Sequence, residues 1–190
     1  MLFRSRTPPG IIQSSAQILD RYLDRLPPDQ RREQVVSITK SVRRMASLID
    51  EVLLLGKVEG GQLKCNRGPV ALASFCRKLI DEMHSATSGQ CPIALDCPDC
   101  PGAFGDEAIL RRILGNLISN AVKYSAPGKT VLVTIRQERE WAVFEVKDQG
   151  VGIPAEDREK LFTAFHRGKN VSQISGTGLG LTIVKRCVEL

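Results

Sequence analysis

At 190 residues the chain has room for one ordinary domain, or one domain plus a helical appendage. A composition of 42% hydrophobic and 25% charged residues belongs to a globular protein, and only 5% aromatics argues against a nucleic-acid platform of stacked rings. The net charge of +6 suits an anionic partner such as a nucleotide or an acidic protein, or simply a solvated basic surface.

Two helices are expected first. Ile11, Ile12, Ser15, Ala16, Ile18, Leu19, Tyr22, Leu23 and Leu26 form a wide apolar stripe at helical spacing, stopped by Pro27-Pro28-Asp29. A second helix carries Val35, Ile38, Val42, Met45, Ile49 and Val52 in alternating steps of three and four, the seam of a coiled coil or four-helix bundle. A hairpin cannot bury such a seam alone, so a homodimer is expected. Gly56 and "EGGQ" (59–62) read as a break, dividing a hairpin of residues 1–58 from a second domain of residues 59–190.

In that second region "PVALASFCRKLIDEMHSAT" reads as a short strand entering a helix, and "PIALD" as a strand. Asp106 is placed to cap a long helix with Ile109, Leu110, Ile113, Leu114, Leu117, Ile118 and Ala121 inward. "TVLVTIRQ" and "EWAVFEVKD" alternate as two strands around a turn near Arg139. A short helix after Pro154, a glycine-rich loop and a helix from about Gly178 complete the order. The fold class is α+β: a helical hairpin, then a sheet covered by helices on one face.

Six cysteines include one C-x-x-C, Cys97 to Cys100, too few ligands for a structural zinc site. A set of thiols in a reducing compartment is the simpler reading, with a redox pair at Cys97 and Cys100 the lesser one. No run reaches the about 18 apolar residues of a membrane span, and no signal-peptide pattern occurs. The segment is expected to be cytoplasmic without membrane contact of its own, its parent protein anchored, if at all, through an upstream segment.

Four stretches ask for a chemical explanation. "NLISNAVKYS" sets Asn116 and Asn120 four apart on one helix face, with Lys123 and Tyr124 at the same end. A carboxamide oxygen suits Mg²⁺, which keeps most of its waters and bridges phosphates; a lone Asn more often bonds nearby backbone. "KDQGVGIP" puts Asp148 at a strand end before Gly150, Gly152 and Ile153. A carboxylate there can accept from an exocyclic amine while glycines admit a flat base, although an ordinary Asp-Gly turn looks the same. "LFTAFHRG" supplies Phe162 and Phe165, usually plain packing, then Arg167, a cation for phosphate. "ISGTGLGL" places Gly176, Thr177, Gly178, Leu179 and Gly180 before a helix, an anion site without the Lys-Ser/Thr ending of a Walker loop.

Asp148 lies 28 residues after Asn120, and Gly176 lies 28 after Asp148. In this order the four stretches resemble the N, G1, F and G2 boxes of the GHKL (Bergerat-fold) ATPases. With the hairpin in front, the chain resembles a sensor histidine kinase of two-component signalling over nearly all its length. The resemblance implies ATP and Mg²⁺ as cofactors, with Asn120 on the metal and Asn116, Lys123 and Tyr124 near the nucleotide. It implies Asp148 on the adenine amino group, Gly150, Gly152 and Ile153 along the base pocket, and residues 166–177 as a mobile lid with Arg167 near phosphate. Gly176, Thr177, Gly178, Leu179 and Gly180 would hold the phosphate tail. Kinases of this kind move the γ-phosphoryl of ATP to a hairpin histidine and then to an aspartate of a response-regulator receiver domain.

The pattern departs from the family at the start. Arg6, Thr7 and Pro8 fit the family's hairpin motif, yet Phe3 stands where the phosphoacceptor histidine belongs and Arg4 where its acidic neighbour belongs. Phenyl has no lone pair to attack phosphorus, so self-phosphorylation is not expected; Thr7 keeps the place of the family's phosphatase threonine. Family ATPase domains also continue into closing strands beyond the last helix, so the expectation is a chain cut at both ends. Two other readings stay open: a non-catalytic ATP-binding dimerisation module regulating a partner, and another GHKL ATPase.

Overall fold

The computed structural model describes residues 7–87, 89–97, 102–171, 174 and 176–190. They fall into two compact units, the first ending at Leu53 and the second running Leu54–Leu190.

The first unit is helical. Helix α1 spans Pro8–Tyr22 and helix α2 begins at Pro28 and runs to Glu59. Thr7, in extended conformation, is the N-cap of α1 and prolines fill its first turn. Pro8 and Pro9 thus stand at the first positions of the helix, where proline is at home. First-turn N–H groups have no intrahelical acceptor, so proline loses nothing there and its fixed φ suits the turn. The apolar stripe extends to Leu26, but the helix stops at Tyr22, where Arg25 and Leu26 both return their N–H to the Tyr22 carbonyl. On α2, Val35, Val42, Ile49 and Val52 are exposed by 52, 51, 56 and 46%, whereas Ile38 and Met45 are partly covered.

Gly56 does not break α2. Its cost of about 1 kcal/mol relative to Ala is small beside the continuity of a long helix. The stop comes at Glu59: Gly61 takes φ +64°, and Gln62 N–H returns to Lys57 O at 2.8 Å. A left-handed glycine of this kind satisfies the last carbonyls of a helix.

The second unit carries a packed core. Strand β1 (Gly68–Ala71) leads into α3 (Leu72–Ala86); β2 (Ile93–Asp96), β3 (Gly102–Gly105) and α4 (Glu107–Tyr124) follow. After β4 (Val131–Glu138) and β5 (Trp141–Lys147) come two short 3-10 turns and α5 (Gly180–Val188). The strands form two sheets. β1 pairs antiparallel with β3, a strand the sequence pattern did not reveal. β2 lies parallel to β4 with Ile93 beside Val131, and β5 runs antiparallel to β4 with Leu132 beside Lys147. Arg139 makes the β4–β5 turn at φ 56°.

Val131, Val133 and Ile135 alternate along β4 and are fully buried. They meet Leu72, Phe75, Cys76 and Leu79 of α3 and Leu114, Ile118 and Val122 of α4 in one cluster. The period of two on the strand and of 3.6 on the helices thus point at the same interior. Leu179, Ile183, Val184 and Cys187 are buried around the start and inner face of α5. Cys65, Cys76, Cys91 and Cys187 are free thiols. Cys97 is disulfide-bonded, which corrects the reading of six free thiols, and Cys100 lies outside the described residues.

Candidate functional site

Helix α4 sets the site's frame, and its first turn is fixed by one carboxylate. Asp106 Oδ1 accepts from the N–H groups of Ala108 at 2.9 Å and Ile109 at 3.1 Å, and Oδ2 from Asn66 N–H at 2.7 Å. The Asn66 N–H first, then that of Ile109, hold this carboxyl below the usual carboxylate range. With one side of α4 committed to the core, Asn116, Asn120, Lys123 and Tyr124 are half-buried.

Asn116 Nδ2 donates to Arg112 O at 2.9 Å, which fixes the amide and turns Oδ1 the other way. A Cβ on Gly180 would lie 2.8 Å from that Oδ1 and 3.8 Å from Asn120 Nδ2. Gly180 opens α5, so the two carboxamides sit against a helix N-terminus with its unpaired N–H groups. One turn further along α4, the Lys123 ammonium lies 3.1 Å from Tyr124 Oη and 4.6 Å from the centre of that ring. A Cβ on Gly176 would fall 2.5 Å from Lys123 Nζ. Both glycines leave room that any other side chain would fill.

The other wall follows β5. Asp148 Oδ1 accepts from Gly150 N–H at 2.8 Å, closing a tight turn. Gly150 bridges Ser125 at the end of α4, and a Cβ there would come within 2.7 Å of Tyr124 O. Gly152 has φ +69° and open space at its Cβ position; beside it Ile153 is 49% exposed. An exposed carboxylate, two glycines and an uncovered aliphatic side chain therefore stand together.

The segment between these walls is partly described. Phe165 adopts φ 63°, its N–H donates to Gly178 O at 3.0 Å, and Gly178 itself has φ +77°. A Cβ on Gly178 would meet Phe165 C and His166 O at 2.8 Å. Leu179 N–H reaches Thr177 Oγ1 at 3.2 Å. Arg167 turns into its own segment: Nη2 donates to Val171 O at 2.8 Å and to Ile174 O. Asn170 Nδ2 donates to Gly152 O at 3.1 Å, joining this segment to the β5 loop.

The structure thus brings Asn116 and Asn120 to Gly180, Lys123 and Tyr124 to Gly176, and Gly150 to Tyr124. Thr7 belongs to the first unit, and Phe3 and Arg4 lie outside the described residues. Sequence reasoning passed over Asp157 and Ser125, and gave Gly168 and Asn170 no role beyond membership of the 166–177 lid. Asp157 sits among Glu156, Arg158 and Glu159 in an ordinary polar run, and only tertiary packing buries it.

Among known proteins, the family model described as "Histidine kinase-, DNA gyrase B-, and HSP90-like ATPase" matches residues 105–190. The chain is 31% identical over 186 residues to the sensor protein kinase PmrB of Pseudomonas aeruginosa, covering 97% of this chain and 38% of that relative. Among solved structures, the mycobacterial sensor histidine kinase MprB matches at 30% identity and TM-score 0.57, over 65% of this chain and 79% of that one. The Acinetobacter baumannii histidine kinase AdeS shares the fold at TM-score 0.75 and 24% identity, over 97% of this chain and 84% of that one. The chain spans less than half the length of the Pseudomonas relative.

Proposed function

The chain belongs to the sensor histidine kinases with a GHKL-type ATPase domain, and from that premise we propose that it is the ATP-binding and dimerisation core of a two-component protein-histidine kinase. Residues 1–58 are the dimerisation hairpin and residues 59–190 the nucleotide domain. The observation that carries the reading is the cradle at Gly176 and Gly180, where a Cβ would strike Lys123 and Asn116.

The residues present fit the groups this function needs. The carboxamide oxygen of Asn120, one half-turn of the amide from its present donor, would hold Mg²⁺ beside Asn116. Lys123 and Tyr124 would meet phosphate oxygens. The N–H groups of residues 176–180, at the positive end of α5, would cradle the phosphate tail, with Thr177 and Leu179 keeping the turn. Asp148 would accept from the adenine amino group while Gly150, Gly152 and Ile153 flank the base. Arg167 would exchange the carbonyls of Val171 and Ile174 for phosphate. Bound MgATP would supply the phosphoryl group and neutralise its charge.

Four of the six seam residues on α2 are exposed, which supports a homodimer formed through the hairpin. A response-regulator receiver domain is the proposed acceptor further along. No helix among the described residues is long and apolar enough to cross a membrane. With Phe3 in the place of the phosphoacceptor, this chain acts as a donor in trans. Radiolabelled ATP tests it: the chain alone should take no acid-labile label. A nucleotide-dead chain carrying the full histidine motif should become labelled when the two are mixed. Tight MgATP binding with no transfer to that hairpin would instead support the non-catalytic regulatory module.

A further inference from the structure

The short turn Ala155–Lys160 holds a side chain with no part in the chemistry above. Asp157 is only 8% exposed, although Glu156, Arg158, Glu159 and Lys160 around it are all exposed. Burying a carboxylate is costly unless its oxygens are partnered. Its Oδ1 lies 3.1 Å from His166 Nε2, a hydrogen bond in which an ionised carboxylate accepts from the ring N–H. Its Oδ2 is buried without a hydrogen-bond partner among the described residues.

The surroundings show what this carboxylate does. A Cβ on Gly168 would lie 3.0 Å from Asp157 Oδ2 and 2.8 Å from Asn170 Oδ1, so the backbone passes tightly over both oxygens. The Asn170 amide cannot turn over to donate to Asp157, because its Nδ2 is committed to Gly152 O. Phe165, immediately before His166, holds the left-handed φ of 63°. For a bulky residue that conformation persists only where neighbours impose it. The backbone of these same two residues is what Gly178 rests on.

We infer that Asp157 is a positioning residue for the phosphate end of the nucleotide site: by hooking His166 it seats the backbone of Phe165 and His166 on Gly178 and so sets the glycine loop before α5. This rests on the nucleotide reading of the site. Its reach is selective, because Asp148 and Gly150 are held by each other and by the end of α4.

The test titrates the full chain and its variants with ATP and with adenosine, in magnesium buffer, with melting temperature as the folding control. Asp157→Ala and His166→Phe, which keeps a flat ring but has no donor, should each weaken ATP about tenfold, the scale of one charge-assisted hydrogen bond, and leave adenosine unchanged. The double variant should lose no more than either single, since the two act as one unit. Asp157→Asn, which still offers an acceptor to His166, should recover most of the loss. Unchanged ATP affinity, equal loss of both ligands, or additive losses would overturn the inference. If Asp157→Ala does not fold, His166→Phe reads the same split with the carboxylate in place. An unmodified chain that binds neither ligand defeats the nucleotide reading, and this inference with it.

Discussion

The two units spend their apolar residues in opposite ways. In the second unit Leu114, Ile118, Val131, Val133 and Ile135 are essentially sealed from water by helices and sheet of the same chain. In the first, Val35, Val42, Ile49 and Val52 remain about half exposed along one helix. Large uncovered apolar stripes mark association surfaces. The contrast teaches that one unit closes its apolar surface internally while the other leaves a stripe open, the surface through which the proposed dimer would form.

The largest expected effect breaks the hairpin side of this contrast. Val42→Glu with Ile49→Glu would bury unpaired charge in any dimer seam and should weaken association by about 100-fold or more. Sedimentation velocity should show monomers, with MgATP affinity unaltered. A native chain already monomeric at tens of micromolar (a concentration of order set by common dimer affinities) would remove the basis of the contrast. The converse variant strikes the sealed core. Leu114→Ala should cost about 2–5 kcal/mol from lost contacts and a cavity, lowering the melting temperature and nucleotide binding while the hairpin still associates.

Gly178→Ala combines a left-handed φ with backbone atoms within 2.9 Å of the new methyl. A loss of about 1–3 kcal/mol in stability is expected, with ATP binding reduced beyond adenosine binding. Asp148→Asn should keep the fold and weaken adenine nucleotides by about 1–3 kcal/mol. Calorimetry showing native affinity would dismiss the adenine assignment.

The smallest effect lies at the head of α4. Asp106→Ala removes an N-cap and should cost about 1 kcal/mol, moderated by the solvent that reaches this half-buried group. Because the folded-state pKa is lowered, the carboxylate's contribution is present above the unfolded-state value and is lost as pH falls through the folded one. Acid titration of stability should therefore be flatter in the variant below about pH 4, the ordinary Asp range.

Local chemistry explains why much of this was legible in advance. The Asp106 cap, the alternation of Val131, Val133 and Ile135, and the stop at Gly60-Gly61 are features of neighbours in sequence. Gly150, Gly176, Gly178 and Gly180 each pack against a side chain or backbone atom that no Cβ would tolerate, whereas Gly61 and Gly152 are needed for their positive φ. Strand β3 escaped because "GAFG" has almost no side-chain signal and its partner β1 lies more than thirty residues away. Asp157 escaped for a related reason: nothing in "AEDREK" separates the buried acid from its solvated neighbours. The far end of α1 was read too long because the apolar stripe runs on to Leu26, while the chain already turns at Tyr22.

Phe165 has an evolutionary consequence. Its backbone sits where Gly or Asn would be more comfortable, by about 1–2 kcal/mol relative to an ordinary L-residue, while its ring is 62% exposed and adds little to the core. A survey of all substitutions at this position, scored once for folding and once for phosphoryl transfer, should therefore rank them differently. Glycine should gain in the first ranking and fall in the second. Such a split would place the value of the ring outside the fold, against the backbone's own preference.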